Sequence, residues 1–187
     1  MNKDFNIIVA GVGGQGIITL LRLIDEAAFI SGYDVKSSEL HGLAQRGGSV
    51  LAHIRFGEKI YSPMVFAGKV DLIIGTELTE SLRATNFAGP ETKILVNQNL
   101  MPFLGGLSEK EIMERLPNKY LHIVKASKIC EEKLGKEVVS TTYLLGYAVK
   151  NNLAPLKAES VLEAIKNIIP EKYQDLNIKA FNLAFNP

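Results

Sequence analysis

Residues 7–18, Ile-Ile-Val-Ala-Gly-Val-Gly-Gly-Gln-Gly-Ile-Ile, carry the reading that decides the fold. The run from Phe5 to Ala10 is rich in β-branched residues and ends at a glycine, as a short buried strand does. Beyond the turn, Ile17, Ile18, Leu20, Leu21, Ile24, Ala27 and Ala28 cover most of a helical circumference. Arg22, Asp25 and Glu26 leave only a narrow polar stripe. A mostly buried helix is therefore expected from Gln15 to Ser31, with Gly32 as its stop. Between strand and helix, Gly11, Gly13 and Gly16 fit the G-x-G-x-x-G spacing in the context that pattern requires. Gly11 permits a tight turn, Gly13 a close backbone approach and Gly16 the packing of helix on strand. The helix N-terminus then offers unpaired N–H groups to an anion.

Such a turn has several uses. A dinucleotide site also wants an acidic residue at the end of the second strand, roughly 20 residues on. That strand is expected at Val35 to Ser38, with Asp34 at its start and Glu39 just beyond it. No basic residue stands at Ser37 or Ser38 to read a 2′-phosphate. Binding of another phosphate-bearing group, docking of a partner's loop, and simple packing of helix on strand stay open beside NAD or FAD. A Gly-Lys-Ser/Thr is missing, which argues against a P-loop NTPase.

Residues 38–49, Ser-Glu-Leu-His-Gly-Leu-Ala-Gln-Arg-Gly-Gly-Ser, form the second concentration of chemistry. Residues 39–48 of this stretch have no sustained period and are expected to be a loop. If the second strand runs parallel to the first, this loop shares a sheet edge with the glycine turn, and ligands of open α/β sheets bind at that edge. Glu39, His41, Gln45, Arg46, Gly47 and Gly48 then join Gly11, Gly13, Gly14, Gln15 and Gly16 as candidate cofactor-binding residues. The plain alternatives are a Glu–Arg salt bridge, a hydrogen-bonded structural histidine and a diglycine turn.

The rest of the chain supplies the frame. Ser49 to Phe56 alternates, with Val50, Ala52, Ile54 and Phe56 on one face and Ser49, His53 and Arg55 on the other. Glu58 to Ser62 is expected to return as an antiparallel strand after a turn at Gly57-Glu58. Val70 to Gly75, Lys93 to Asn97 and Tyr120 to Ala126 read as further strands. A helix follows Gly75 to about Ala84, another starts at Ser108 with Glu111 at capping-box spacing, and Ser127 is placed to cap a third. From about Val138 the chain looks helical, with Pro155 and Pro170 as separators. The alternation predicts an α/β fold, a three-layer αβα, Rossmann-like arrangement on a mostly parallel, mixed sheet. One domain is expected over residues 1–187, with a helical C-terminal part.

Composition narrows function. Among 187 residues, 21 Lys and Arg face 20 Asp and Glu, so a net charge of +1 gives no argument for nucleic acid or an anionic membrane. No segment is long and apolar enough to read as a membrane span or a signal peptide, and a cytoplasmic location is expected. Cys130 is the single cysteine, so the chain has no internal disulfide and cannot supply four thiolates to an iron–sulfur cluster. Its acidic neighbours Glu131 and Glu132 suit a structural thiol rather than a nucleophile. His41, His53 and His122 lack metal-ligand spacing, and no metal site or catalytic residue is assigned.

Taken together, the motifs at 11–17 and 38–50 resemble the gamma-type subunit or domain of the 2-oxoacid (pyruvate/ketoisovalerate-type):ferredoxin oxidoreductases. The form Glu-x-His-Gly-x-Ala-Gln-Arg-Gly-Gly is most similar to the beta subunit of indolepyruvate:ferredoxin oxidoreductases. The likeness spans nearly the whole chain, including Ser62-Pro63, Asp71-Leu72 and Leu144-Leu145-Gly146. Relatives often carry Asn-Met or Asn-Thr where this chain has Thr141-Thr142.

The resemblance implies a non-redox subunit of a complex that oxidatively decarboxylates a 2-oxoacid, with an arylpyruvate such as indolepyruvate favoured, makes an acyl-CoA and reduces ferredoxin. Thiamine diphosphate and iron–sulfur clusters are then expected on a large partner subunit. This chain would contribute assembly and coenzyme A contacts through the two glycine-bearing loops, meet ferredoxin only indirectly, and be inactive alone. Arg46 would supply a charge-assisted bond to an anion. A free-standing NAD(P)-dependent oxidoreductase and a pure scaffold subunit are the alternatives.

Overall fold

The computed structural model of the protein describes residues 4–42, 47–117 and 119–186. In chain order it contains β1 (Phe5–Val12), α1 (Ile17–Ile30), β2 (Asp34–His41), β3 (Ser49–Gly57), β4 (Val70–Gly75), α2 (Leu78–Ala84), β5 (Ala88–Asn97), α3 (Glu109–Arg115), β6 (Leu121–Val124), α4 (Ala126–Leu134), α5 (Ser140–Lys150), α6 (Ala158–Ile168) and α7 (Glu171–Leu183). The strands form one sheet in the order β2-β3-β1-β4-β5-β6. β1, β4, β5 and β6 are parallel neighbours. β3 is antiparallel to both β1 and β2, so β2 points the same way as β1 with one reversed strand between them.

The pleat sorts the apolar residues into two cores. Ile7, Val9, Ala52, Ile54, Leu72, Ile74 and Leu95 face α1 and the C-terminal helices. Ile8, Ala10, Ile73, Ile94 and Val96 face α2 and α3. The central strands are therefore apolar without alternation because both faces are covered. The expected αβα arrangement is present, with β3 as the mixed element. α1 is buried along Leu20, Leu23, Ile24, Ala27 and Ala28, as its pattern requires. The Ser108–Glu111 capping box forms in both directions.

Three local expectations change. The second strand runs on to His41, so Glu39, Leu40 and His41 are strand rather than loop; they pair with Ala52, Leu51 and Val50. β2 is an edge strand whose outer half is exposed, so no apolar alternation marks it.

The return strand at Glu58 to Ser62 does not form. Both flanks of β3 are already taken by β1 and β2, which leaves no free edge for a hairpin partner. Residues 58–69 instead cross the far face of β3 as an irregular strap. Ile60 N–H donates to Asp34 Oδ2 at 2.8 Å, Arg55 Nη1 to the Ser62 carbonyl at 3.0 Å, and Val65 N–H to His53 Nδ1 at 3.1 Å. His53, expected on a polar face, is consequently buried.

Ser127 does not cap α4, whose N-cap is Lys125. Asn97 does that work from β5, its Oδ1 accepting from Ser127 N–H at 3.2 Å.

Candidate functional site

The site grows from the C-terminal end of β1. Register pairs Val12 with Ser49 and His41 with Val50, which brings the glycine turn and both ends of the β2–β3 connection to one edge. There the two motifs are joined directly. Gly13 N–H donates to the Gly48 carbonyl at 2.8 Å, and Gly47 N–H donates back to the Gly13 carbonyl at 3.2 Å.

The glycines have distinct reasons. A Cβ on Gly11 would lie 1.8 Å from Thr76 Oγ1, so the hydroxyl of the residue after β4 fills the space that a side chain here would need. Gly16 takes φ of 82° as the N-cap of α1, a left-handed conformation that glycine adopts without strain. It brings no side-chain cap, so the first-turn N–H groups of α1 have no intrahelical partner and stay available to an anion.

Gln15 braces the turn. Its Oε1 accepts from Val12 N–H at 3.0 Å and from the Thr76 hydroxyl at 2.7 Å. Only its amide Nε2 is turned outward, 3.7 Å from Met101 sulfur. The candidate residues therefore separate into two clefts with the turn as the wall between them. One, of about 500 Å³, is lined by Gly13, Gly14, Gln15, Thr76, Asn97 and Ser127, among others. The other, of about 420 Å³, is lined by Gly13, Gly14, Gly16, Thr19, Glu39 and His41, among others. Glu39 and His41 thus do meet the turn, while Gln15 faces the opposite side. Gly47 borders a smaller hollow with Ser49, Glu77, Glu80 and Arg83. Gln45 and Arg46 lie outside the described residues.

Residues not singled out from sequence also stand by the turn, Thr76 and Asn97 on the larger cleft and Glu77 on the smaller hollow. Thr76 follows β4, and Asn97 closes β5 with its Nδ2 donating to the Thr76 carbonyl at 3.2 Å and to Ser127 Oγ at 2.9 Å. Glu77 is buried at the N-terminus of α2. Its Oε2 accepts from Glu80 N–H at 2.8 Å and its Oε1 from Met101 N–H at 3.1 Å. The sequence signal for these was their place at the carboxyl ends of predicted strands, where ligands of open sheets collect.

Electrostatically the larger cleft is lined by amides and hydroxyls, and Glu137 is the one charged residue among those described on its walls. Among the described residues no group of three or more His, Cys, Asp and Glu could hold a metal ion, and no helix is long and apolar enough to cross a membrane. Burial pushes the Cys130 thiol up to about 11, which keeps it protonated.

The reversed strand also bears on dinucleotide binding. The strand that reads a ribose in the Rossmann arrangement lies beside β1 and parallel to it. Here β3 occupies that place in the opposite sense, and Glu39 stands two strands away, on the order of 10 Å from β1.

The chain matches the pyruvate ferredoxin/flavodoxin oxidoreductase family over residues 6–186. It is 37% identical to the indolepyruvate oxidoreductase subunit IorB of Pyrococcus horikoshii, over 97% of this chain and 94% of that protein. It is 31% identical to the common gamma subunit of the pyruvate/ketoisovalerate oxidoreductases of Pyrococcus abyssi, over 94% of this chain and 92% of the other. Among solved structures, the 2-oxoglutarate:ferredoxin oxidoreductase of Magnetococcus marinus, with 2-oxoglutarate, coenzyme A and succinyl-CoA bound, aligns with a TM-score of 0.75 at 17% identity. That alignment covers all of this chain and 31% of the larger one.

Proposed function

The chain belongs to the pyruvate ferredoxin/flavodoxin oxidoreductase family, and we propose that it is the non-redox subunit of an indolepyruvate-type 2-oxoacid:ferredoxin oxidoreductase that contributes coenzyme A contacts. The complex releases carbon dioxide from the 2-oxoacid, passes electrons to ferredoxin and forms a thioester with coenzyme A. A large partner subunit carries thiamine diphosphate, which supplies the carbanion chemistry, and the iron–sulfur clusters. Two facts support the indolepyruvate assignment. Identity to an indolepyruvate relative is 37%, against 31% to a pyruvate/ketoisovalerate relative. The Glu39-Leu40-His41-Gly42 stretch also resembles the indolepyruvate form. A cytoplasmic location goes with this reading.

The observation that carries the coenzyme reading is the reciprocal Gly13–Gly48 and Gly47–Gly13 hydrogen bonding, which makes one surface of two motifs. Coenzyme A is an anionic pyrophosphate at one end and an uncharged amide chain ending in a thiol at the other. The uncapped first turn of α1 suits the phosphates, with fixed N–H dipoles that need no reorganisation. The amide of Gln15 and the hydroxyls of Ser127 and Ser140 suit the neutral arm. Antiparallel β3, standing where the ribose-reading strand of a dinucleotide site would run parallel to β1, disfavours a free-standing NAD(P) enzyme.

Thr19→Asp in the reconstituted complex tests this reading. Thr19 lines the cleft at the first turn of α1, and an acidic residue there favours the helix while repelling phosphate. The KM for coenzyme A is expected to rise about tenfold, with the KM for the 2-oxoacid unchanged. An unchanged coenzyme A KM would leave the scaffold role as the function.

A further inference from the structure

The connection from β5 to α3 ends in an apolar tip with nothing over it among the described residues. Residues 100–107, Leu-Met-Pro-Phe-Leu-Gly-Gly-Leu, carry no charge. Leu100 and Leu107 at its base pack against the core formed by Ile8, Ile73 and Val96, so the base is part of the fold. Between them Phe103 is half exposed and Leu104 fully exposed.

The tip is held in shape. Gly106 N–H donates to the Phe103 carbonyl at 2.9 Å, closing a turn. The Phe103 ring lies against Gly106, where a Cβ would come within 3.0 Å of Cε1. Buried Glu77 fixes the stem through Met101 N–H. A preformed apolar knob of this kind is what a binding hot spot presents, because little ordering remains to be done on docking.

Its position selects the occupant. Met101 lines the larger cleft beside Gln15, and Met101, Pro102 and Phe103 line the hollow beside Gly47. The tip therefore stands at the mouth of the edge where coenzyme A is placed above. A chain with one cysteine cannot hold a four-thiolate cluster, so the redox centre belongs to another subunit, and the tip is the exposed apolar surface beside the edge it would approach. We propose that Phe103 and Leu104 insert into an uncharged apolar groove of the thiamine- and cluster-bearing subunit and thereby set the coenzyme thiol against its reacting centre. This rests on the coenzyme reading of the adjoining cleft.

The experiment co-expresses the chain with that subunit and compares wild type, Leu104→Asp, Phe103→Ser and, as a control whose exposure lies between theirs, Tyr61→Ser on the strap. Leu104→Asp and Phe103→Ser are expected to raise the dissociation constant of the complex about tenfold or more, while Tyr61→Ser leaves it within about twofold. Thermal midpoints of the isolated chains should agree, since both tip side chains are exposed. Wild-type assembly by Leu104→Asp overturns the proposal. So does an equal loss in Tyr61→Ser, or a homodimer of the isolated chain that Leu104→Asp dissolves, which would make a second copy the occupant. Loss of assembly in the tip variants, with no coenzyme A protection of the wild-type complex in hydrogen exchange, would retain the docking tip and reject the coenzyme reading.

Discussion

The Ser37 hydroxyl donates to Asp25 Oδ2 at 2.5 Å, tying the edge strand β2 to the first helix. Asp25 Oδ1 is buried without a hydrogen-bond partner. Burial raises the Asp25 carboxyl to about 6, against the lowering effect of the Ser37 hydroxyl. The folded state therefore holds this proton more tightly than the unfolded chain. The stabilising contribution is full below the unfolded value and is lost as pH rises from about 4 through about 6. Asp25→Asn keeps an acceptor for Ser37 and removes the buried charge. It should be more stable than wild type at pH 8 by about 1–3 kcal/mol, with the gain shrinking towards pH 4. Urea midpoints of both proteins at pH 4.5 and pH 8 measure this, and a pH-independent difference would refute it.

Gly11→Ala places a methyl against Thr76 Oγ1. The strands flanking it are fully packed, so the variant should lose about 1–3 kcal/mol. Removing the obstructing oxygen with Thr76→Ala should make the double variant less damaged than the two single costs added together, by about 1 kcal/mol. A double-mutant cycle by denaturant unfolding reads the coupling directly; simple additivity would show that the contact does not decide the residue.

Gln15 separates bracing from binding. Both hydrogen bonds that hold the turn end on Oε1, so Gln15→Glu preserves them. Gln15→Ala leaves the buried Val12 N–H unpaired and should cost about 1–3 kcal/mol. The glutamate variant should melt close to wild type yet raise the KM for coenzyme A, since it replaces an outward amide with a negative charge in a cleft that already holds Glu137. Normal kinetics in that variant would confine Gln15 to a structural role.

Cys130 should be silent. It is buried on α4 with its thiol pushed up to about 11, so at pH 8 almost no thiolate exists and access is closed. A disulfide reagent should label the folded chain only on the unfolding timescale and label it at once in denaturant. Rapid labelling of the native protein would contradict the buried placement.

How far the sequence could be read follows from the physics of each element. β1, α1 and β4 were legible because burial on two faces or along a wide stripe writes long apolar runs. The Ser108–Glu111 box was legible because a cap needs two residue types at fixed spacing. The end of β2 was not, because an exposed edge strand needs no apolar residues to pair its backbone. Nor was the fate of 58–62, because a hairpin pattern does not say whether the neighbouring edge is already occupied. At the site, the glycines announced themselves through composition. Thr76 and Asn97 are single polar residues at strand ends, with no period to reveal them. Gln15 was visible, but that it spends its carbonyl on its own turn is a fact of three dimensions.

The reversal of β3 has a last consequence, for motion. A parallel strand in that place would have required a crossover helix, and that helix would have covered the sheet. The hairpin route leaves the far face of β2 and β3 under the 58–69 strap, which has no backbone ladder of its own and is pinned chiefly through Asp34, Arg55 and His53. Opening it uncovers the buried Ile60 and Val65 but breaks no strand ladder of the sheet. Amide hydrogens of Ile60 and Val65 should therefore exchange through small excursions from the native state, while those of β1 and β4 wait for the whole molecule to unfold.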